Sequence, residues 1–329
     1  MDLNIIKNLD GLKKYKNIIV QNENLLDPTN NYSFFKTLIT TFKEKKVLIF
    51  IIYHRNNFLC LPLSSFKYFG LEFYTFIAGP DLSYERTLFH NIKDNNLLIL
   101  YINQILKYAN KNRIKFFLNN ISKQAKIFLS TNIYFLSKYN MNRCLLNSNT
   151  IFSSKELETK QIKRIDFKLR KFTRFTKINF EDLKFSTINE TVFNINDIIN
   201  FIDNNKIISS KEKIKLINNL KIFFNLNNLE ISILHFKNLI FSVIIGFNIN
   251  KSFLFFSPVF NQDYKKFSFG FYHLFLLMNK KKLEGYKYFD LGPGNEEYKN
   301  NFNLYKDNFY SFTNSKLLKI IIFFKNLVK

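Results

Sequence analysis

The sequence is poor in several residue types, and each shortage narrows the classes of protein that fit it. Tryptophan is absent, alanine occurs at three positions, and the 329 residues include only 8 glycines and 5 prolines. Collagen-like chains and glycine- or proline-rich low-complexity chains are therefore excluded. Hydrophobic residues make up 47% of the chain, which is enough to build sizeable cores. The length fits two domains of about 150 residues each.

Cysteine and histidine are also scarce. The two cysteines, Cys60 and Cys144, are too few for a disulfide framework and have no C-x-x-C spacing, so we predict two buried thiols. The four histidines lack the spacing that is typical of metal ligands. The sequence therefore predicts no metal site.

Long apolar runs are missing as well. The longest, residues 47–53 and 320–324, are much shorter than the about 20 residues that a transmembrane helix needs. The first residues do not have the basic and apolar regions of a signal peptide. The expected location is the cytoplasm.

Acidic residues are few beside basic ones, 25 against 49, and the formal net charge is +24. Such an excess attracts anions to the protein surface. Most of the basic residues are lysine, however, and asparagine, isoleucine and phenylalanine are abundant too, a pattern that is typical of an AT-rich genome. The charge alone does not indicate a nucleic-acid partner, and none is expected.

Hydrophobic periodicity predicts a mixed α/β fold in both halves of the chain. Apolar positions at helical spacing predict four helices, at residues 30–45, 96–110, 209–226 and 271–282. Extended apolar runs predict strands at residues 47–53, 58–63, 73–77, 114–118, 229–236, 239–248, 253–259 and 286–291. Short polar segments at residues 55–57 and 237–238 indicate hairpins. Alternating strands and helices favour a mixed sheet covered by helices.

Residues 153–177 form a basic segment between the halves. Its cations recur every three or four residues, which places them on one face of a helix, at Lys160, Arg164, Lys168, Lys171 and Arg174. Such a face is ordinarily solvated. The alternative is an anion-binding rim, for which we select Arg170 and Arg174. The predicted domains are residues 1–152, a linking helix at 153–180, and residues 181–329.

The segment that starts at residue 253 predicts a strand, a polar turn and a helix. The start of a helix offers free backbone N–H groups and a partial positive charge, which suit a phosphate group. Ser268 is predicted to cap this helix, and Gly270 to let a ligand approach the backbone. Lys265 and Lys266 add positive charge nearby.

Polar groups cluster at the end of the next predicted strand, which covers residues 286–291, and just beyond it. They are Asp290, Glu296, Tyr298 and Lys299. Ligands of α/β sheets commonly lie outside the carboxyl ends of strands. A carboxylate at such a place can act as a general base towards an amine or a hydroxyl group.

These two segments together resemble a known family. Ser268-x-Gly270, a helix, and then Phe289-Asp290-x-Gly292-x-Gly294-Asn295-Glu296-x-Tyr298-Lys299 are similar to the signature of the CelD/BcsL-type GNAT acetyltransferases. That family is linked to cellulose and exopolysaccharide biosynthesis and is distantly related to the FemAB aminoacyl transferases. The resemblance is most specific over residues 229–302. The chain departs from it in having Phe269 in place of a proline and Asn295 in place of an aspartate.

The resemblance implies a tandem GNAT-like fold and an acyl-CoA co-substrate, acetyl-CoA or another, with no metal. The pantetheine arm would lie between the strands at 253–259 and 286–291, and the strand backbone would polarise the thioester carbonyl. The residues implied for the co-substrate are Phe256, Ser257, Val259, Lys265, Lys266, Ser268, Phe269 and Gly270.

The resemblance also implies catalytic roles. Glu296, or Asp290, would take a proton from the acceptor amine, and Tyr298 would protonate the leaving thiolate. Each has a structural alternative: Asp290 would bond the following turn, and Tyr298 would be a packing aromatic. For substrate binding we select Asn295, Lys299, Arg170 and Arg174, although Lys299 would alternatively pair with Glu296.

The resulting hypothesis is an acyl-CoA-dependent N-acyltransferase. Its acceptor would be an amino sugar or a similar small-molecule or glycan amine in surface polysaccharide or glycolipid biosynthesis. One alternative is a FemAB-like transferase that uses charged tRNA. Another is a non-enzymatic basic protein of membrane or glycan surfaces. An amphipathic helix at residues 316–329 would then contact the inner membrane peripherally, whereas packing on the domain is its ordinary role.

Overall fold

The chain folds into two compact units in a computed structural model. Unit 1 comprises Met1–Asn140 and Asp307–Lys329, and unit 2 comprises Met141–Lys306. The structure describes residues 2–22, 31–41, 46–68, 70–76, 88–121, 124–146, 150–205, 208–224, 228–249, 251–293 and 296–327.

Strands and helices alternate along the chain. The first part contains β1 (Asp2–Ile6), α1 (Leu9–Lys14), α2 (Lys16–Gln21), α3 (Tyr32–Thr41), β2 (Val47–His54), β3 (Asn57–Tyr68), β4 (Leu71–Phe76), β5 (Phe89–His90), α4 (Asn95–Lys111), β6 (Phe117–Ile121), α5 (Ala125–Leu129) and β7 (Tyr134–Leu145). The second part contains α6 (Lys155–Thr176), β8 (Lys184–Thr187), α7 (Ile195–Asp203), α8 (Ser210–Phe223), β9 (Leu229–Phe236), β10 (Leu239–Ile249), β11 (Ser252–Phe260), α9 (Phe269–Leu283), β12 (Tyr288–Pro293), β13 (Leu304–Thr313) and α10 (Lys316–Leu327). Short 3-10 helices lie at Phe180–Asp182, Ile188–Glu190, Gln262–Phe267 and Glu297–Asn301.

Unit 1 is built on an antiparallel sheet in the order β1-β2-β3-β4. The turn between β2 and β3 has Arg55 at φ 49° and Asn56 at φ 66°, as a two-residue hairpin turn requires. The predicted hairpin is therefore confirmed. Helix α4 covers the sheet with a row of buried side chains that includes Leu98, Ile102 and Ile105.

Unit 2 is built on a second sheet. Strands β8, β9, β10 and β11 pair in that order and antiparallel, β11 pairs with β12 parallel, and β12 pairs antiparallel with Met141–Leu145 of β7. Strands β11 and β12 are parallel because helix α9 carries the chain back between them, and a parallel pair needs a crossover of this kind.

Helices cover both faces of the sheet in unit 2. Successive strand residues point to opposite faces, so Val243 and Ile245 pack with α7 and α8 while Ile244 packs with α9. Helix α6 packs beside the start of α9 through Phe172, whose ring centroid lies 4.9 Å from that of Phe269. This contact positions the basic helix next to the first turn of α9.

The two halves repeat one structural pattern. In the first half, β4 leads through α4 to β6, and a parallel bridge joins Tyr74 to Phe116. In the second half, β11 leads through α9 to the parallel strand β12. The mixed α/β class and the two similar halves are thus confirmed.

Some boundaries differ from those predicted. Helix α9 begins at Phe269, two residues earlier than expected, and the sequence patterns did not reveal β7 or β13. Residues 78–81, whose sequence Ala-Gly-Pro-Asp is typical of a turn, lie outside the described residues. The compact units divide the chain after residues 140 and 306, and the domain bounds at residues 152 and 180 stay a prediction. Cys60 and Cys144 are buried free thiols, as predicted.

The amphipathic segment at the end of the chain forms α10. Leu318 is buried, whereas Leu317 and Ile320 are about half exposed. No helix among the described residues is both long and apolar enough to cross a bilayer. Peripheral membrane contact through α10 stays a prediction.

Gly246 provides a test of the packing that holds β11 in place. A β carbon at this position would enter the ring of Phe253 and lie 2.6 Å from the carbonyl oxygen of Leu254. We expect Gly246→Ala to lower the free energy of unfolding by about 2 kcal/mol, since overpacked cores must shift their backbone. Urea unfolding followed by circular dichroism measures this change, and an unaltered midpoint would contradict the packing described.

Candidate functional site

Strands β11 and β12 pair over only a short distance. The register joins Ser252 to Tyr288 and continues to Leu254 opposite Asp290. Beyond this point β11 continues to Phe260, and the described residues show no further pairing between the two strands. The backbone of β11 therefore leaves its neighbour on the side that leads towards α9.

A β-bulge lies on β11 at the same place. Opposite β10, Gly246 pairs with Phe255 and Ile245 pairs with Ser257, so that Phe256 is the extra residue. A bulge bends its strand and interrupts the pairing ladder. The bulge and the end of the pairing with β12 together open the sheet at its centre.

A cavity of about 300 Å³ lies beside this opening, and we call it the slot cavity. Its walls come from the end of β11, the 3-10 helix that follows, the first turns of α9 and Tyr298. The lining residues are Phe255, Pro258, Phe260, Asn261, Tyr264, Lys265, Ser268, Phe269, Gly270, Phe271, Leu274 and Tyr298. The cavity is mostly apolar with few polar groups, as small-molecule sites commonly are.

The start of α9 presents backbone donors to the slot cavity. Phe271 and Tyr272 donate their N–H groups to the carbonyl of Ser268, whereas the described residues offer no acceptor for the N–H groups of Phe269 and Gly270. The predicted side-chain cap by Ser268 is wrong, because Ser268 has φ 59° and its hydroxyl makes no capping bond. The free N–H groups at this helix start can still bind an anion.

The predicted co-substrate residues fall into two groups. Lys265, Ser268, Phe269 and Gly270 line the slot cavity. The ammonium of Lys266 instead lies over the ring of Phe267. Three further predicted residues of β11, Phe256, Ser257 and Val259, do not line it with their side chains, and Val259 and Phe256 pack towards α7 and α8.

A second cavity, of about 290 Å³, lies beside α6, and we call it the α6 cavity. Its walls are α6, the start of α9 and the 3-10 helix Glu297–Asn301. The lining residues are Gln161, Arg164, Ile165, Lys168, Leu169, Phe267, Ser268, Phe271, Tyr272, Glu297, Tyr298 and Asn301. The two cavities share Ser268, Phe271 and Tyr298, so they meet at these side chains.

Tyr298 therefore lies where a group in one cavity could reach a group in the other. Burial, together with the negative charge of Glu296, raises the pKa of its phenol to about 12. The phenol stays protonated at neutral pH and remains a hydrogen-bond donor. Its hydroxyl has no hydrogen-bond partner among the described residues.

Glu296 lies outside the lining of both cavities. Its carboxylate is 2.7 Å from the ammonium of Lys299, which is only 2% exposed and also donates to the carbonyl of Gly292. Burial alone would raise the pKa of Glu296, but the hydrogen bond and charge of Lys299 leave that pKa below its ordinary value. Glu296 is thus a weak base. The next residue, Glu297, which the sequence did not single out, places its side chain in the α6 cavity.

Asp290 is held in a structural pair. It is 2% exposed, lies 3.2 Å from the Nε of Arg143, and accepts the N–H of Gly292 at 3.0 Å. These contacts fasten β12 to β7 and shape the turn after β12. The geometry thus favours the structural alternative for Asp290 over the catalytic one.

The remaining predicted substrate residues do not join the site. Arg170 is exposed and pairs with Asp166 at 2.7 Å, Arg174 is exposed, and neither lines a described cavity. Asn295 lies outside the described residues. Arg164 and Lys168, which the sequence placed on the same basic face, are the cations that line the α6 cavity. No group of three His, Cys, Asp or Glu side chains in the described parts could hold a metal ion.

Comparison with known protein families finds a match for the later part of unit 2. Residues 220–300 match the model of the acetyltransferase (GNAT) domain. This segment of the chain is similar to the GNAT acetyltransferases. The matched segment includes the opened strands, α9 and the slot cavity. No curated protein sequence matches the chain.

Solved structures with the same fold extend the similarity to the whole chain. FemX has a TM-score of 0.62 at 8% identity, with 98% of this chain and all of FemX covered. L-PGS from Bacillus licheniformis has a TM-score of 0.54 at 11% identity, with 96% of each chain covered. A conserved protein of unknown function from Bacteroides thetaiotaomicron has a TM-score of 0.56 at 12% identity, with 94% and 99% covered. At such identities the likeness shows the fold alone.

The role of Asp290 can be tested through stability. We expect Asp290→Asn to lower the free energy of unfolding by about 3 kcal/mol, because it leaves Arg143 without its buried counter-ion. The exposed Asp182→Asn is the matched control and should unfold like the wild type. A variant of Asp290 that keeps full stability but loses turnover would show instead that the carboxylate is catalytic.

A substitution at Gly270 tests ligand binding without disturbing the fold. A β carbon here would lie 3.5 Å from the ring of Phe260, an ordinary contact, so Gly270→Ala should keep its stability or gain up to about 1 kcal/mol. The added methyl group would however enter the slot cavity. We expect acetyl-CoA affinity to fall by at least about tenfold, or 1.4 kcal/mol, in isothermal titration calorimetry. Equal affinity in the two proteins would place the co-substrate elsewhere.

Proposed function

We propose that the protein transfers an acyl group, with acetyl the simplest case, from acyl-CoA to the amine of an acceptor. The observation that carries this proposal is the end of pairing between β11 and β12 beside a cavity at the start of α9. A thioester carrier needs a slot for an extended arm and donors for its phosphates. The unpaired edge of β11 and the free N–H groups at Phe269 and Gly270 supply both.

The acyl-CoA would lie in the slot cavity. Its pyrophosphate would bind the start of α9, where the helix dipole and Lys265 favour negative charge. The pantetheine arm would follow the backbone of β11 past Phe255. N–H groups on this backbone would stabilise the negative charge that develops on the thioester oxygen.

The acceptor amine would attack from the α6 cavity. A carbon–nitrogen bond forms at the thioester carbonyl, the carbon–sulfur bond breaks, and the products are an amide and CoA. Glu297 would take the proton that the amine loses, directly or through a water. Tyr298, where the cavities meet, would donate to the departing sulfur.

The acceptor class follows from the resemblance to the CelD/BcsL-type acetyltransferases. On this basis we propose an amino sugar, or a similar amine, in surface polysaccharide or glycolipid assembly. The fit of small polar molecules to a cavity of about 290 Å³ supports an acceptor of this size.

A second candidate is an aminoacyl transferase that uses charged tRNA. The observation in its favour is the exposed basic face of α6, which includes Lys163, Arg170 and Arg174. Binding to tRNA through such a face would weaken steeply with salt. A thermal-shift titration separates the candidates: acetyl-CoA should raise the melting temperature, and charged tRNA should not. Stabilisation by charged tRNA alone would favour the second candidate.

A matched pair of variants tests whether Glu297 or its neighbour Glu296 is the general base. We expect Glu297→Gln to lower kcat by about 100-fold, which is typical for loss of a general base, with acetyl-CoA affinity unchanged. Glu296→Gln should keep kcat within a few-fold, because that carboxylate is bound to Lys299 and lies outside the cavity. Release of CoA with glucosamine as acceptor, detected with a thiol reagent, provides the rate. The reverse ranking would assign the base to Glu296.

A further inference from the structure

The α6 cavity has two chemically different walls. Arg164 and Lys168 project from α6 on one side, and Glu297 and Tyr298 project from the 3-10 helix on the other. A molecule that fits between them would place an anionic group against α6 and a basic group against the carboxylate.

The cations differ in how firmly they are held. The Nζ of Lys168 donates to the carbonyl of Lys266 at 2.8 Å, which fixes its ammonium beside the 3-10 helix that precedes α9. Arg164 has no carboxylate partner among the described residues, so its guanidinium is available to a ligand. A guanidinium binds a phosphate through two parallel hydrogen bonds.

Two contacts hold α6, the helix that carries these cations, in place. Gln161 is buried and donates from its amide to the side chain of Asn301 at 3.1 Å, which links α6 to the opposite wall. Phe172 fixes α6 on Phe269. The cavity is therefore preformed, and a ligand would not have to order the helix in order to bind.

We propose that the α6 cavity binds an acceptor that carries a phosphate group as well as the reacting amine, such as an amino sugar phosphate. Arg164 and Lys168 bind the phosphate, and this orients the amine towards Glu297 and Tyr298. The role of this molecule as the acyl acceptor rests on the proposed function. The phosphate site itself does not, because it depends only on the cations of the cavity.

The experiment measures binding of glucosamine 6-phosphate by isothermal titration calorimetry, with glucosamine, which has the same amine but no phosphate, as its match. Each sugar is titrated into the protein alone and into the protein saturated with CoA, which cannot react. We expect glucosamine 6-phosphate to bind about tenfold or more tightly than glucosamine, since hydrogen bonds between a guanidinium and a phosphate are charge-assisted and stronger than neutral ones. Affinity should fall as salt rises.

Variants on α6 locate the site. Arg164→Gln should remove most of the preference for the phosphorylated sugar. Lys163→Gln, which removes the same charge from the adjacent exposed position, should bind like the wild type. Equal binding by both variants, or no preference for the phosphorylated sugar, would overturn the proposal.

The titrations in the presence of CoA distinguish a site for the phosphate of the acceptor from a site for a phosphate of the co-substrate. If bound CoA abolishes binding of glucosamine 6-phosphate, the cations of α6 bind a phosphate of the co-substrate and the proposal is wrong. If CoA itself does not bind, the proposed function fails. The titrations without CoA would then still decide whether the cavity holds a phosphate.

Discussion

The opening in the sheet of unit 2 depends on the short pairing between β11 and β12. Their ladder ends where Leu254 lies opposite Asp290. Asp290 holds β12 against β7 through Arg143, whereas the bulge at Phe256 interrupts the pairing of β11 with β10 and bends β11. Strand β12 is thus held by β7, on the side away from β11, and β11 is bent. The opening at the centre of the sheet follows from ordinary pairing and packing, with no need for a bound ligand.

Two cavities on either side of one tyrosine suit a reaction between two substrates. The slot cavity has an apolar wall and backbone donors, which fit a long carrier with a phosphate end. The α6 cavity has charged walls, which fit a compact polar molecule. Tyr298 and Phe271 line both, so reacting groups bound on the two sides would meet there. A meeting point of this kind fits the GNAT acetyltransferase domain whose model residues 220–300 match.

The sequence predicted the fold class, the hairpin and the helix after the slot, because these depend on local periodicity and turn residues. It selected Glu296 and did not single out Glu297, since the cavity that Glu297 lines and the pairing of Glu296 with the buried Lys299 depend on tertiary packing. It placed Arg164 on the basic helix face but preferred Arg170 and Arg174, which lie further along the helix. The choice among them requires the packing of α6 on α9. Strand β7 was missed because polar residues, such as Ser137, Lys138 and Asn140, interrupt its apolar ones.

The most direct test of the account is hydrogen–deuterium exchange with and without acetyl-CoA. The account predicts slower exchange for the backbone amides of residues 255–259 and 268–271, which would line the carrier, and little change in β9 or in unit 1. Unchanged exchange in these two segments, or protection confined to unit 1, would contradict a carrier slot between β11 and β12.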